Sequence, residues 1–201
     1  MAINKLKIGF LGSHNGSNMQ AILDGIANGS VQAEAKVLIS NNSQAPIIDK
    51  AKTAGLKTFH ISTKLFPESE IGNEIANIMK GNEIELIILA GYMKKIDDNL
   101  IARFRNRIVN IHPALLPKFG GEGMFGMNVH KAVVESGEKI SGATVHLVNG
   151  EYDSGKILAQ AEVQVLPQDT AEILAAKVLI AEHKLYPETI DKIAKGEISL
   201  D

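Results

Sequence analysis

The chain has no cysteine and no tryptophan, and only nine phenylalanines and tyrosines in 201 residues. Without cysteine there is no disulfide, no thiolate metal site and no thiol nucleophile, a composition that suits a reducing compartment such as the cytoplasm. So few aromatics leave little surface on which nucleic-acid bases could stack. The net charge of −2 gives no field to draw nucleic acid or an anionic membrane. No apolar run approaches the roughly 20 residues that span a bilayer. The N-terminal run, Lys5 to Leu11, is short and soon meets a glycine turn, so it reads as a strand rather than a signal peptide.

What is present is ordinary for a globular protein: 45% hydrophobic and 22% charged residues. The length suits one domain spanning 1–201 with a substantial core. Apolar strand-like runs at Lys7–Leu11, Lys36–Ser40, Thr58–Ile61, Leu86–Ala90 and Ile108–Ile111 alternate with helical periodicity at Met19–Asn28, Pro46–Gly55, Glu68–Lys80 and Asp97–Phe104. That alternation predicts an α/β fold, a mostly parallel twisted sheet with helices on both faces. Later segments differ. Asn128–Ser136 reads as a helix, Thr144–Val148 and Ile157–Val165 as late strands with one antiparallel. Asp169-Thr170-Ala171-Glu172 reads as a capping box opening a long helix that Pro187 ends or kinks.

The most informative run is Asn110-Ile111-His112-Pro113-Ala114-Leu115-Leu116-Pro117, which closes a strand and enters a loop with four glycines before Met127. Residues two apart on a strand face the same side, so Asn110 and His112 point into one space at the sheet's carboxyl edge. An amide that never titrates beside a ring that does suits a reaction in which an oxyanion forms and a proton moves.

Other segments carry two readings each. Ser13-His14-Asn15-Gly16-Ser17-Asn18 joins strand to helix and reads either as a phosphate cradle at a helix N-terminus or as a turn capped by Ser17 or Asn18. It is neither a dinucleotide fingerprint nor a Walker loop. Glu151-Tyr152-Asp153-Ser154-Gly155 reads as a hairpin turn, or as the source of a carboxylate for His112. His146 is either a supporting group behind the site or a buried structural histidine. The histidines and carboxylates show no metal-ligand spacing, so no metal is expected.

These motifs resemble the phosphoribosylglycinamide formyltransferases. The likeness runs in order from Ile8 to about Pro187 and rests on Asn15-Gly16-Ser17-Asn18, Leu89-Ala90-Gly91-Tyr92-Met93, the Asn110–Pro117 block, Gly142-Ala143-Thr144-Val145-His146, Asp153-Ser154-Gly155 and Glu182-His183-Lys184-Leu185-Tyr186-Pro187. The resemblance implies a Rossmann-like formyltransferase fold. It also implies transfer of the formyl group of 10-formyltetrahydrofolate, a cosubstrate rather than a bound cofactor, to the amine of glycinamide ribonucleotide in purine synthesis.

It places Asn110, His112 and Asp153 in catalytic positions, with the neighbouring acid raising the pKa of His112. Asn15, Gly16, Ser17 and Asn18 fall at the substrate phosphate, and Glu182 at the nucleotide. Met93, Lys94, Lys95 and Ile96 fall at the folate, together with Asn149, Gly150, Glu151 and Tyr152. The expected partners are small molecules, with neither nucleic acid nor membrane, in a cytoplasmic monomer or homodimer.

The chain departs from the family pattern in four places. His14 stands where a glycine is usual, and Lys94-Lys95 where an arginine precedes an apolar residue. No arginine near Glu68 matches a folate-tail partner, and Phe119–Gly126 is long. The alternatives are a formyltransferase acting on a sugar-nucleotide amine, or a non-catalytic folate- or nucleotide-binding module.

Overall fold

The computed structural model describes residues 5–201. Seven strands form one sheet in the order β3-β2-β1-β4-β5-β6-β7. They are β1 (Leu6–Gly12), β2 (Ala33–Ser40), β3 (Lys57–His60), β4 (Leu86–Leu89), β5 (Ile108–His112), β6 (Ile140–Leu147) and β7 (Ile157–Gln164). The helices are α1 (Ser17–Ala27), α2 (Ile47–Thr53), α3 (Glu68–Gly81), α4 (Asp98–Arg103), α5 (Met127–Glu135) and α6 (Ala171–Ala194). Strands β1 to β5 pair in parallel, while β6 pairs antiparallel with both β5 and β7. β6 is therefore the one strand that runs against the others. This is the mixed, mostly parallel α/β sheet expected from the alternation of patterns.

Period-two alternation divides the core. Ile8, Phe10, Leu86, Ile88, Val109 and Ile111 face one side, where they pack with Met19 and Ile22 of α1, Val133 of α5 and Val178, Tyr186 and Ile190 of α6. Leu11, Ile87, Leu89 and Ile108 face the other, with Ile75 and Met79 of α3 and Leu100 of α4. Burial on both faces explains why these strands read as continuous apolar runs. Ile108 lies on the α3/α4 side, so by the same alternation Asn110 and His112 do too.

Several expectations need correction. Pro187 does not end its helix: α6 runs through it for seven more residues. Thr189, Ile190 and Ile193, all buried, hold the distal turns to the sheet, and their packing offsets the ~3 kcal/mol that an interior proline costs. The capping box is displaced by one residue. Thr170 is the N-cap and accepts from the Ile173 amide at 3.3 Å. Asp169 instead accepts from the amide of Leu166 and from Lys177. Neither Ser17 nor Asn18 caps α1; Gly16 holds that position at φ 65 with no side-chain cap bond. β6 begins at Ile140, four residues before the alternation predicts.

Candidate active site

The register of the late strands assembles the site. Asn110 lies opposite His146, and His112 opposite Thr144, which in turn lies opposite Gln160. Residues directly opposite share a face, so these five side chains project from the same side of the sheet, at the carboxyl end of β5. The loops after β5 and β6 meet there, where the Gly121 amide donates to Asp153.

Asp153 enters from the loop between β6 and β7. Its backbone is left-handed at φ 51, and two residues later Gly155 passes so near β6 that a Cβ would stand 1.8 Å from the Leu147 carbonyl oxygen. Only glycine permits this approach. The carboxylate then lies between two histidines: Oδ2 is 3.4 Å from His112 Nδ1, and Oδ1 is 3.5 Å from His146 Nε2.

The loop after β5 grips both groups of the first pair. His112 Nε2 donates to the Phe119 carbonyl at 2.7 Å, and the Gly121 amide donates to Asp153 Oδ2 at 3.0 Å. His146 Nδ1 donates to its neighbour's carbonyl, Leu147 O, at 2.9 Å. That tautomer leaves Nε2 to accept from Asn110 Nδ2 at 3.2 Å.

Burial dominates the electrostatics of His112. It pushes the ring below its ordinary 6.5, and the opposing pull of Asp153 and of the Phe119 carbonyl does not restore it. Asp153 does push this pKa up, as expected, but desolvation of a ring 3% exposed is larger and the net shift is downward. For Asp153, burial pushes up, while the neighbouring rings of His146 and His112 and the Gly121 amide pull down further. Its carboxyl ends below the ordinary range.

The turn after β1 stands at the same edge. His14 and Asn15 are exposed, Ser17 and Asn18 are half-buried, and Gly16 packs so tightly on Ile47 that a Cβ would come within 2.3 Å. Asn18 Nδ2 donates to Glu182 Oε2 at 2.8 Å, while Asn18 Oδ1 is buried with no partner in the protein. Glu182 is itself buried, which pushes its carboxyl up, partly opposed by Asn18. Ser13 ties this turn to the next: its hydroxyl donates to Asn41 Oδ1 and accepts from the Met93 amide at 3.0 Å.

A small cavity of about 100 Å³ opens beside Asn110, His146 and Asp153. Lys94, Lys95 and Ile96 line one side, and Asn149, Gly150, Glu151 and Tyr152 the other. Of the eight residues expected at the folate, Met93 alone is not on its wall. A larger cavity of about 540 Å³ adjoins it through Tyr92, Lys94, Lys95 and Ile96, and extends to Lys64 and Glu68. Among the described residues no cluster of three or more histidines or carboxylates could hold a metal ion. No helix among them is long and apolar enough to cross a membrane.

Sequence reading passed over the Phe119 carbonyl and Gly121 amide, which carry no residue-type signal, and Thr144 and Gln160, which look like ordinary strand residues.

Residues 6–190 match the formyl transferase family. The chain belongs to that family. It is 41% identical over 194 residues to a chloroplastic phosphoribosylglycinamide formyltransferase of Arabidopsis thaliana, covering 96% of this chain and 66% of the relative. It is 35% identical over 195 residues to the phosphoribosylglycinamide formyltransferase of Haemophilus influenzae, covering 96% of this chain and 90% of that protein. The crystal structure of glycinamide ribonucleotide transformylase 1 from Symbiobacterium toebii superposes with a TM-score of 0.89 at 37% identity, over 96% of this chain and 89% of the other. This formyl transferase thus spans just under two thirds of its plant relatives, and 14% of the trifunctional purine biosynthetic protein of Drosophila pseudoobscura pseudoobscura.

Proposed function

We propose that this formyl transferase moves the formyl group of 10-formyltetrahydrofolate to the amine of glycinamide ribonucleotide, as a single domain working in the cytoplasm without a metal. One observation carries the reading: Asn110 and Asp153, remote in sequence, line one cavity at the carboxyl edge of the sheet, with the buried His112 3.4 Å from the Asp153 carboxylate. Similarity to phosphoribosylglycinamide formyltransferases over nearly the whole chain supports the choice of substrates.

The chemistry follows from the groups. The substrate amine attacks the formyl carbon, a C–N bond forms, and the carbonyl π electrons move to oxygen. Asn110 donates an amide hydrogen to that oxyanion. His112, kept neutral by burial in the free protein, takes up a proton from water as negative charge builds beside it and returns it when the carbonyl re-forms. Its stabilising charge therefore arrives with the transition state, where it accelerates the reaction.

Asp153, ionised at neutral pH, takes the proton released by the attacking nitrogen, directly or through a water. Collapse of the intermediate restores the carbonyl and breaks the bond to the folate nitrogen, which leaves with the proton returned by Asp153. The products are the formylated nucleotide and tetrahydrofolate.

In this reading the turn from Asn15 to Asn18 presents the α1 amides to the substrate phosphate, where the helix dipole favours an anion. Glu182 holds the nucleotide. The walls formed by Met93 to Ile96 and Asn149 to Tyr152 hold the folate, with Met93 at the rim.

The test is formyl transfer by the purified protein, followed through absorbance of the deformylated folate. Turnover with glycinamide ribonucleotide is the expected result. No turnover with that amine, together with turnover of a sugar-nucleotide amine, overturns the substrate assignment.

A further inference from the structure

Thr144 is fully buried on β6, and its hydroxyl uses its whole hydrogen-bonding capacity. It donates to the Ala114 carbonyl at 2.6 Å and accepts from the Leu116 amide at 3.0 Å and from Gln160 Nε2 at 2.9 Å. The second hydrogen on Gln160 Nε2 goes to the Leu116 carbonyl at 3.0 Å. Two side chains from neighbouring strands thus tie down three backbone groups of the turn that follows His112.

The turn delivers more than itself. Leu116 packs against Gly120 so closely that a Cβ on the glycine would stand 2.5 Å from Leu116 Cδ2 and 3.1 Å from Asp153 Cβ. On either side of Gly120 are the two backbone groups that grip the site, Phe119 O on His112 and Gly121 N on Asp153. Contact is continuous from Gln160 through Thr144 and Leu116 to both members of the His112–Asp153 pair. The register explains why: His112, Thr144 and Gln160 form one row across β5, β6 and β7. The strand that carries His112 and the clamp that shapes its loop are therefore fixed by the same pairing.

We propose that Thr144 and Gln160 are positioning residues, which by clamping the Ala114–Leu116 turn hold the Phe119 carbonyl and Gly121 amide against His112 and Asp153. The proposal rests on the catalytic roles given to those two residues above. Neither Thr144 nor Gln160 needs to touch a substrate.

Gln160→Met keeps the bulk of the side chain and removes its donors. Gln160 is exposed on the edge strand β7, so the variant is expected to fold. Thr144→Val removes the hydroxyl at constant shape, and Thr144→Ser keeps it. The readout is the titration of the His112 ring by NMR in the free protein, which needs no substrate.

The Phe119 carbonyl favours the protonated ring, so loosening the turn moves the His112 titration to lower pH. The titratable groups facing His112 are Asp153, His146 on β6 and His130 on α5, and neither substitution alters any of them. Gln160→Met and Thr144→Val should show the shift, and Thr144→Ser should restore the wild-type curve. Turnover should fall roughly ten- to a hundredfold with both substrate KM values held, as expected for a small misplacement of reacting groups.

A His112 titration unchanged in folded Gln160→Met overturns the clamp, whatever the amine acceptor proves to be. A wild-type protein with no formyl transfer, but with the titration shift present, refutes the functional reading and leaves the clamp standing.

Discussion

His112 Nδ1 faces Asp153 Oδ2 across 3.4 Å, in a site where both groups titrate below their ordinary values. The pair is therefore neutral imidazole beside carboxylate at neutral pH, and acid is what disturbs it. Turnover should fall on the acid side as the Asp153 carboxylate takes up a proton, below the ordinary 3.8 of its carboxyl. Asp153→Asn should cut kcat by roughly 10²–10⁴. It should also remove the acid limb from the residual activity, because the variant has no carboxylate there to protonate. A pH–rate profile of both proteins checks this; an acid limb retained in the variant contradicts the arrangement.

The same shifts set the sign of a stability effect. A carboxyl depressed in the folded state contributes stability that is present above its unfolded value and is lost as pH falls through the folded one. The difference in urea stability between wild type and Asp153→Asn should be largest near neutral pH and should disappear in strong acid. A difference that grows on acidification would contradict the depressed carboxyl.

Glu182 behaves in the opposite sense. Burial raises its pKa above the ordinary 4.5, so the folded protein binds a proton more readily than the unfolded chain, and the ionised form costs stability once the pH exceeds the folded value. Glu182→Gln should raise the thermal midpoint at pH 7–8, and the gain should vanish as the pH approaches 4.5. Calorimetry across that range checks it. The same change should weaken nucleotide binding roughly ten- to a hundredfold, the scale of one hydrogen bond to a charged group. Unaltered binding would remove Glu182 from the nucleotide site.

Gly155→Ala tests how the Asp153 loop is held. Its Cβ would meet the Leu147 carbonyl oxygen at 1.8 Å, a backbone atom at the end of β6 that cannot swing aside like a side chain. A loss of about 1–3 kcal/mol or more is expected in denaturant melts. Turnover should fall beyond the loss of folded protein, since the loop carries Asp153.

Tyr152 stands at the folate wall with Lys95 Nζ 5.9 Å from its ring centre. It is 49% exposed, so its contacts do little for the core. Tyr152→Ala should raise the folate KM roughly two- to tenfold, the scale of one aromatic contact. It should leave the nucleotide KM alone and change stability by less than ~0.5 kcal/mol. Steady-state kinetics in each substrate separates these effects.

Local chemistry made much of this molecule legible from its residues. The apolar runs of β1 and β4 and the helical spacing of α1 and α3 reflect burial, which acts residue by residue and leaves a period in the chain. The facing of Asn110 and His112 follows from the pleat alone. Pro187, which does not end α6, shows the same reason in reverse. A local preference of a few kcal/mol gave way to the packing of Tyr186, Ile190 and Ile193, which no window of sequence contains.

The sequence by itself determined that a strand ends on an amide and an imidazole, with a glycine-rich loop behind them and an Asp-Ser-Gly turn some forty residues on. Tertiary structure alone decided that the turn reaches the imidazole, that the Phe119 carbonyl and Gly121 amide fix both groups, and that His112 titrates low rather than high. The physical reason is that pairing across β5, β6 and β7 sets distances between residues remote in sequence. Desolvation, which outweighs the neighbouring charge at His112, depends on everything packed around the ring.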